Sequence, residues 1–145
     1  MGYVFDSSAL LNIIRLMGFN SLSILRGGYI LTLTIYEIGN ALWKEAARLN
    51  TISVDEAIKI LEIVTSIIYK ALNIVDPQNS KLVLKLAHEL SITYYDSSYI
   101  VAAFELNIGL VTDDKKLKKR VEQNMDKLVN ILGRRITIYT TKEII

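Results

Sequence analysis

The chain of 145 residues has no cysteine, one histidine (His88) and one proline (Pro77). Without cysteine there is no disulfide, no thiolate zinc site and no cysteine nucleophile. A single imidazole excludes any centre built on several. Scarce proline and only seven glycines exclude a collagenous or linker-dominated chain, and 51% hydrophobic against 22% charged residues excludes a disordered one. Long apolar runs are missing as well. Leu16 to Leu25 and Gly27 to Tyr36 are the longest uncharged stretches, and both fall far short of the ~20 residues a membrane span needs. Asp6 breaks the first apolar run, where a signal peptide would continue it. The expectation is a cytoplasmic protein without a membrane segment. Glutamine is rare, with two residues against 21 Ile and 20 Leu, a bias in the direction of heat-adapted proteins.

What is present reads as one domain over 1–145, long enough to bury a single core. Short apolar runs at Tyr3–Phe5, Tyr29–Leu33, Leu72–Val75, Gly109–Thr112 and Ile136–Tyr139 read as strands. Between them, apolar residues recur at helical spacing: Leu10, Leu11, Ile14 and Met17 over 7–17, then Ile35, Ile38, Leu42 and Ala46 over a helix predicted from Thr34 to Leu49. Further helices are predicted over 54–70, opened by the capping box Ser53 and Glu56, and over 78–90, 97–106 and 114–131. Strands alternating with helices predict an α/β three-layer sandwich, a mostly parallel central sheet flanked by helices. In such sheets the site lies beyond the carboxyl ends of the strands.

Acids follow those ends. Asp6 follows the first strand, Asp113 and Asp114 follow the strand at 110–112, Glu37 lies in the first turn of the helix after the second strand, and Asp96 opens a helix behind Tyr94 and Tyr95. Two like charges ~4 Å apart repel by roughly 4 kcal/mol at an effective dielectric near 20. A chain that gathers four carboxylates therefore needs a cation or raised pKa values. Oxygen donors without imidazole or thiolate select hard ions, Mg²⁺ or Mn²⁺, and such ions assist phosphoryl transfer. Taken singly, Asp6, Asp96 and Asp114 also suit ordinary helix N-caps, and Glu37 suits an exposed helix face.

Four segments in order resemble the PIN-domain nucleases, in particular VapC-type toxins of toxin–antitoxin pairs. They are Tyr3-Val4-Phe5-Asp6-Ser7-Ser8, then Tyr36-Glu37-Ile38-Gly39-Asn40-Ala41-Leu42, then Tyr95-Asp96-Ser97-Ser98-Tyr99-Ile100-Val101-Ala102-Ala103, and finally Leu110-Val111-Thr112-Asp113-Asp114-Lys115-Lys116-Leu117. The resemblance spans essentially the whole chain. It implies a Mg²⁺- or Mn²⁺-dependent endoribonuclease leaving 5′-phosphate and 3′-hydroxyl ends. Asp6, Glu37, Asp96 and Asp114 are then the acidic quartet and metal ligands, with Glu37 positioning the attacking water. The motif selects Asp114 over Asp113. Ser8 and Thr112 match positions that support the first and last carboxylates, and Asn40, one turn after Glu37, is placed to hydrogen-bond it. The family also implies a homodimer and a cognate antitoxin.

Charge supports a polyanionic substrate. The formal net charge is +2, so the chain without the quartet carries +6. Lys115, Lys116, Lys118, Lys119 and Arg120 begin beside Asp114, with Arg134 and Arg135 further on. Lys115, Lys116 and Lys119 are the candidate RNA contacts. Tyr94, Tyr95 and Tyr99 suit either base stacking or core packing with a hydroxyl at the rim. The apolar residues Ile58, Leu61, Ile63, Val64, Ile67 and Ile68 cover more than one stripe of their helix, which suggests a partner surface. Two other readings stand beside the toxin: a PIN-like module that binds RNA or protein without cutting, and a nuclease of RNA processing outside any toxin pair. A phospho-receiver domain is disfavoured, because the acidic pair lies late in the chain.

Overall fold

The computed structural model describes residues 2–145. Five two-residue strands form one parallel sheet in the order β3-β2-β1-β4-β5: β1 (Val4–Phe5), β2 (Tyr29–Ile30), β3 (Asn73–Ile74), β4 (Leu110–Val111) and β5 (Ile138–Tyr139). Val4 stands opposite both Tyr29 and Leu110, which places the first strand at the centre. Parallel neighbours require crossovers, and helices supply them. On one face lie α1 (Ser7–Met17), α2 (Leu22–Leu25), α3 (Thr32–Trp43) and α4 (Val54–Ala71). On the other lie α5 (Ser80–Leu90), α6 (Tyr94–Leu106), α7 (Lys115–Gln123) and α8 (Met125–Leu132). A last helix, α9 (Thr141–Ile144), packs on α1. Successive strand residues face opposite layers: Val4 and Leu110 belong to one core, Phe5 and Val111 to the other. The architecture is the three-layer α/β sandwich read from the sequence.

Several boundaries move, each for a local reason. The second strand stops at Ile30 and α3 starts at Thr32, two residues before the expected start. The Asp76 carboxylate accepts from the Thr32 N–H (3.0 Å) and the Thr34 hydroxyl accepts from the Leu31 N–H (3.0 Å), so the helix is capped early. Glu37 therefore lies in its second turn. The Thr93 hydroxyl accepts from the Asp96 N–H (3.0 Å), so α6 opens at Tyr94, and Asp96 sits within the first turn instead of capping it. The single helix expected over 114–131 is two, broken at Asn124, whose side-chain amide donates to the Arg120 carbonyl (2.8 Å). The short helices α2 and α9 were not foreseen.

The helical run Ser7–Leu25 is long and apolar enough to cross a membrane by length and composition alone. It is interrupted at Gly18, and Leu10, Ile13 and Leu25 within it are fully buried in the core. In α4, Val64, Ile67 and Ile68 are buried, and Leu61 and Ile63 pack against the same core. The apolar excess noted in the sequence thus mostly faces inward. The surface keeps Tyr36, Trp43, Ile58, Tyr69 and Ile74.

Gly28 lies where the entry to β2 passes β1. A Cβ there would stand 2.6 Å from the buried Phe5 ring and 3.0 Å from the Leu25 carbonyl oxygen. Gly28→Ala is expected to destabilise the fold by about 1–3 kcal/mol through overpacking, read as a lower urea midpoint; an unchanged midpoint would show that the ring yields freely.

Candidate active site

The carboxyl ends of β1 and β4 lie side by side, with the Asp6 N–H donating to the Val111 carbonyl (3.1 Å). Asp6 caps α1. Its Oδ1 accepts from the Ala9 N–H (2.9 Å) and the Ser8 hydroxyl (2.7 Å), and its Oδ2 accepts from the Thr112 hydroxyl. The two supporting hydroxyls are themselves held from the β4 side: Ser8 accepts from the Asp113 N–H (3.1 Å) and Thr112 from the Asp114 N–H (3.0 Å). Asp6 is only 6% exposed. Burial pushes its carboxyl up to about 6; the hydrogen bonds from Thr112, Ala9 and Ser8 oppose that rise, and the charge of Asp96 adds to it.

The other acids gather around it. Asp96 is half-buried, and burial raises its pKa first, followed by the charges of Asp114 and Glu37. The charge of Asp96 thus acts on Asp6, and those of Asp114 and Glu37 act on Asp96, so four residues spread over the chain share one electrostatic neighbourhood. The capping role considered for Asp114 is real and partial: one oxygen, Oδ1, accepts from the Lys116 and Leu117 N–H groups (both 3.0 Å). Asp113 turns away to a structural task. Its carboxylate accepts from Asn12 on α1 (2.8 Å), the Thr141 N–H (2.8 Å) and the Thr141 hydroxyl (2.6 Å). Burial acts to raise its pKa, but these donors outweigh burial and hold it below the usual carboxylate value. The tie secures α9 to α1.

Thr112, matched to the support of the Asp114 carboxylate, donates to Asp6 instead and meets Asp114 only by accepting from the Asp114 N–H, and two further expectations need correction. Asn40 lines a hollow with Glu37, Leu33, Tyr36 and Tyr95, but it does not hold the Glu37 carboxylate. That contact belongs to Tyr99, whose hydroxyl donates to Glu37 Oε1 (2.6 Å). Tyr99 is 1% exposed, one turn beyond Asp96 on α6. Burial first, then its bond to Glu37, pushes the phenol far above its ordinary value, so it stays a donor. The spacing of Asp96 and Tyr99, three apart on a helix, was the available signal. Secondly, Arg134 and Arg135, counted with the lysines beside Asp114 as a basic rim around the acids, lie away from them. They line a hollow at the opposite, amino edge of the sheet with Tyr3 and Gly109, where Arg134 stacks on Phe104 and donates to its carbonyl. Lys115, Lys116 and Lys119 are exposed at the start of α7, beside Asp114. Lys118 is engaged with Glu143 (3.1 Å) and Glu122 (3.9 Å).

Among the described residues no three acidic side chains close on a common point as an ion cage. The donor set itself, carboxylate oxygens gathered against their own repulsion, fits a hard divalent cation.

A five-strand parallel sheet between two helical layers, with acids beyond its carboxyl ends, is the architecture of a PIN-domain protein. The Exonuclease VapC9 of Pyrobaculum aerophilum is 42% identical over 97 residues, covering 67% of this chain and 69% of that protein. The crystal structure of PAE2754 from Pyrobaculum aerophilum superposes with a TM-score of 0.70 at 31% identity, covering 92% of this chain and 91% of that one. VapBC-1 from nontypeable Haemophilus influenzae shares the fold, with a TM-score of 0.56 at 15% identity over 98% and 99% of the two chains. No family model matches the chain. The chain belongs to the VapC family of PIN-domain nucleases.

The raised Asp6 carboxyl has a signed consequence. Between about pH 4 and 6 the folded protein keeps a proton on Asp6 that the unfolded chain has lost, so this group lowers stability as pH rises through that window. The shift corresponds to about 3 kcal/mol at most. In metal-free protein, Asp6→Asn is expected to unfold at higher urea than the wild type at pH 7, with the gap narrowing towards pH 4. A gap independent of pH would remove burial of the charge as the cause.

Proposed function

We propose that the chain is a Mg²⁺- or Mn²⁺-dependent endoribonuclease and the toxin of a VapBC-type pair. The observation that carries this reading is the gathering of Asp6, Glu37, Asp96 and Asp114 at one sheet edge, close enough for Asp96 to act on Asp6 and for Asp114 and Glu37 to act on Asp96, beside the exposed lysines of α7. Asp6, Asp96 and Asp114, with Glu37 as a further oxygen donor, are the residues that would hold the ion. When bound, the ion supplies charge neutralisation at the phosphate and a more acidic water. The protein's own groups do the rest. Ser8, Thr112 and the Ala9 amide fix the Asp6 carboxylate. Glu37 orients the water for in-line attack on phosphorus, and the bond to the 3′ oxygen breaks, leaving a 3′-hydroxyl and a 5′-phosphate. Lys115, Lys116 and Lys119 draw in the RNA backbone.

The same reading includes a cytoplasmic protein that forms a homodimer and binds a cognate antitoxin. The exposed apolar residues Tyr36, Trp43, Ile58, Tyr69 and Ile74 on α3, α4 and β3 support a protein partner. The relative from Pyrobaculum aerophilum is named an exonuclease, so the substrate that discriminates is a circular RNA, which offers no end to start from.

Wild-type protein with Mn²⁺ is expected to cut circular and linear RNA alike, and a chelator to abolish both. Cutting of linear RNA only would make it an exonuclease, and RNA binding without cutting would make it a binding module. Asp6→Asn, Glu37→Gln and Asp96→Asn should each lower kcat by on the order of 10²-fold or more. Undiminished cleavage by Asp6→Asn would sink the site. Lys115→Ala or Lys119→Ala should weaken RNA binding and reduce the slope of log affinity against log salt by about 1 each, measured by filter binding.

A further inference from the structure

Among the described residues no cap or ion pair holds Glu37, yet it stands at the end of an ordered chain of donors. The Leu31 N–H donates to the Thr34 hydroxyl (3.0 Å), Thr34 and Tyr99 share a hydrogen bond (2.8 Å), and the Tyr99 hydroxyl donates to Glu37 Oε1 (2.6 Å). The direction of each step follows from the ends. A backbone amide can only donate, and the phenol spends its one proton on the carboxylate, so Thr34 must donate to Tyr99. Each hydroxyl accepts once and donates once. Thr34 is fully buried and Tyr99 nearly so, which removes water as a competitor for either group. The other oxygen, Oε2, has no protein partner among the described residues, and Glu37 lines the open hollow with Tyr36, Asn40 and Tyr95.

The chain also links elements. Leu31, Thr34 and Glu37 belong to the start of α3, in the layer on one side of the sheet, while Tyr99 comes from α6 on the other. The same α6 carries Asp96 one turn earlier. One helix thus presents one acid directly and sets the place of a second through a phenol.

We propose that Tyr99, backed by Thr34, is the positioning residue of Glu37: it pins one carboxylate oxygen so that the other faces the reacting centre. The proposal rests on the nuclease reading above. Tyr99→Phe keeps the buried ring and removes only the donor. The expected result is a kcat for RNA cleavage about 10–100-fold lower, a KM for RNA changed less than about twofold, and a Mn²⁺ dissociation constant, titrated calorimetrically without RNA, about 10-fold higher. In metal-free protein followed by NMR, the Glu37 side chain should hold one rotamer in the wild type and average over several in Tyr99→Phe. Thr34→Val should share the loss, and Thr34→Ser, which retains the hydroxyl, should recover what Thr34→Val loses. Wild-type kcat and Mn²⁺ affinity in Tyr99→Phe, or a Glu37 that stays ordered in it, would overturn the positioning role while leaving the nuclease reading intact. A wild-type chain that neither binds Mn²⁺ nor cuts RNA would overturn both.

Discussion

Burying a carboxylate is unfavourable unless its oxygens find donors, and Asp6 finds three of them from two directions. The Ser8 hydroxyl and the Ala9 amide come from the start of α1, and the Thr112 hydroxyl comes from the end of β4. Because Ser8 and Thr112 are in turn bonded by the amides of Asp113 and Asp114, one buried acid registers β1 against β4 at the edge where the acids gather. The hydrogen bonds do not fully offset the burial, and the carboxyl remains hard to ionise. The arrangement is therefore one that a cation would relieve, which is the physical argument for placing an ion there.

The surrounding acids divide into two kinds by the company they keep. Asp113 is saturated by Asn12 and Thr141 and is comfortable as an anion; it is structural mortar between α1 and α9. Asp96 is pushed the other way, by burial and by neighbouring charge. Adjacent residues of one type, Asp113 and Asp114, thus serve different ends because their side chains leave the strand end in different directions. Glu37 belongs with the second kind in position, and it is steadied by a neutral phenol that can only give it a proton to share.

Much of this was legible in the amino-acid order. Alternation of short apolar runs with helical periods conveys the layered fold, and the Asp6-x-Ser8 pair makes the contact its spacing suggests, whereas the Thr112 hydroxyl, expected on the Asp114 carboxylate, holds Asp6. What escaped has local causes. Two-residue strands leave no period to read, so their ends depend on caps such as Asp76 on Thr32, which lies 44 residues away. The division of the basic helix at Asn124 turns on one side-chain bond to Arg120. Tyr99 reads as a core aromatic, and only the packing of α6 across the sheet edge turns its hydroxyl towards Glu37. Arg134 and Arg135 follow the basic stretch in sequence, but they precede β5, and a parallel strand carries its two ends to opposite edges of the sheet.

The central position of β1 has a bearing on biosynthesis. β1 is made before its partner β4 and must wait for it, and the contact of Thr112 with Asp6 spans 106 residues. Until that late segment emerges, the nascent polypeptide holds Asp6 without the hydroxyl that steadies it and without Asp114 beside it. In a chain truncated before β4 neither the support of Asp6 by Thr112 nor the approach of Asp114 can form, so these acids come together only once that strand has been made and paired.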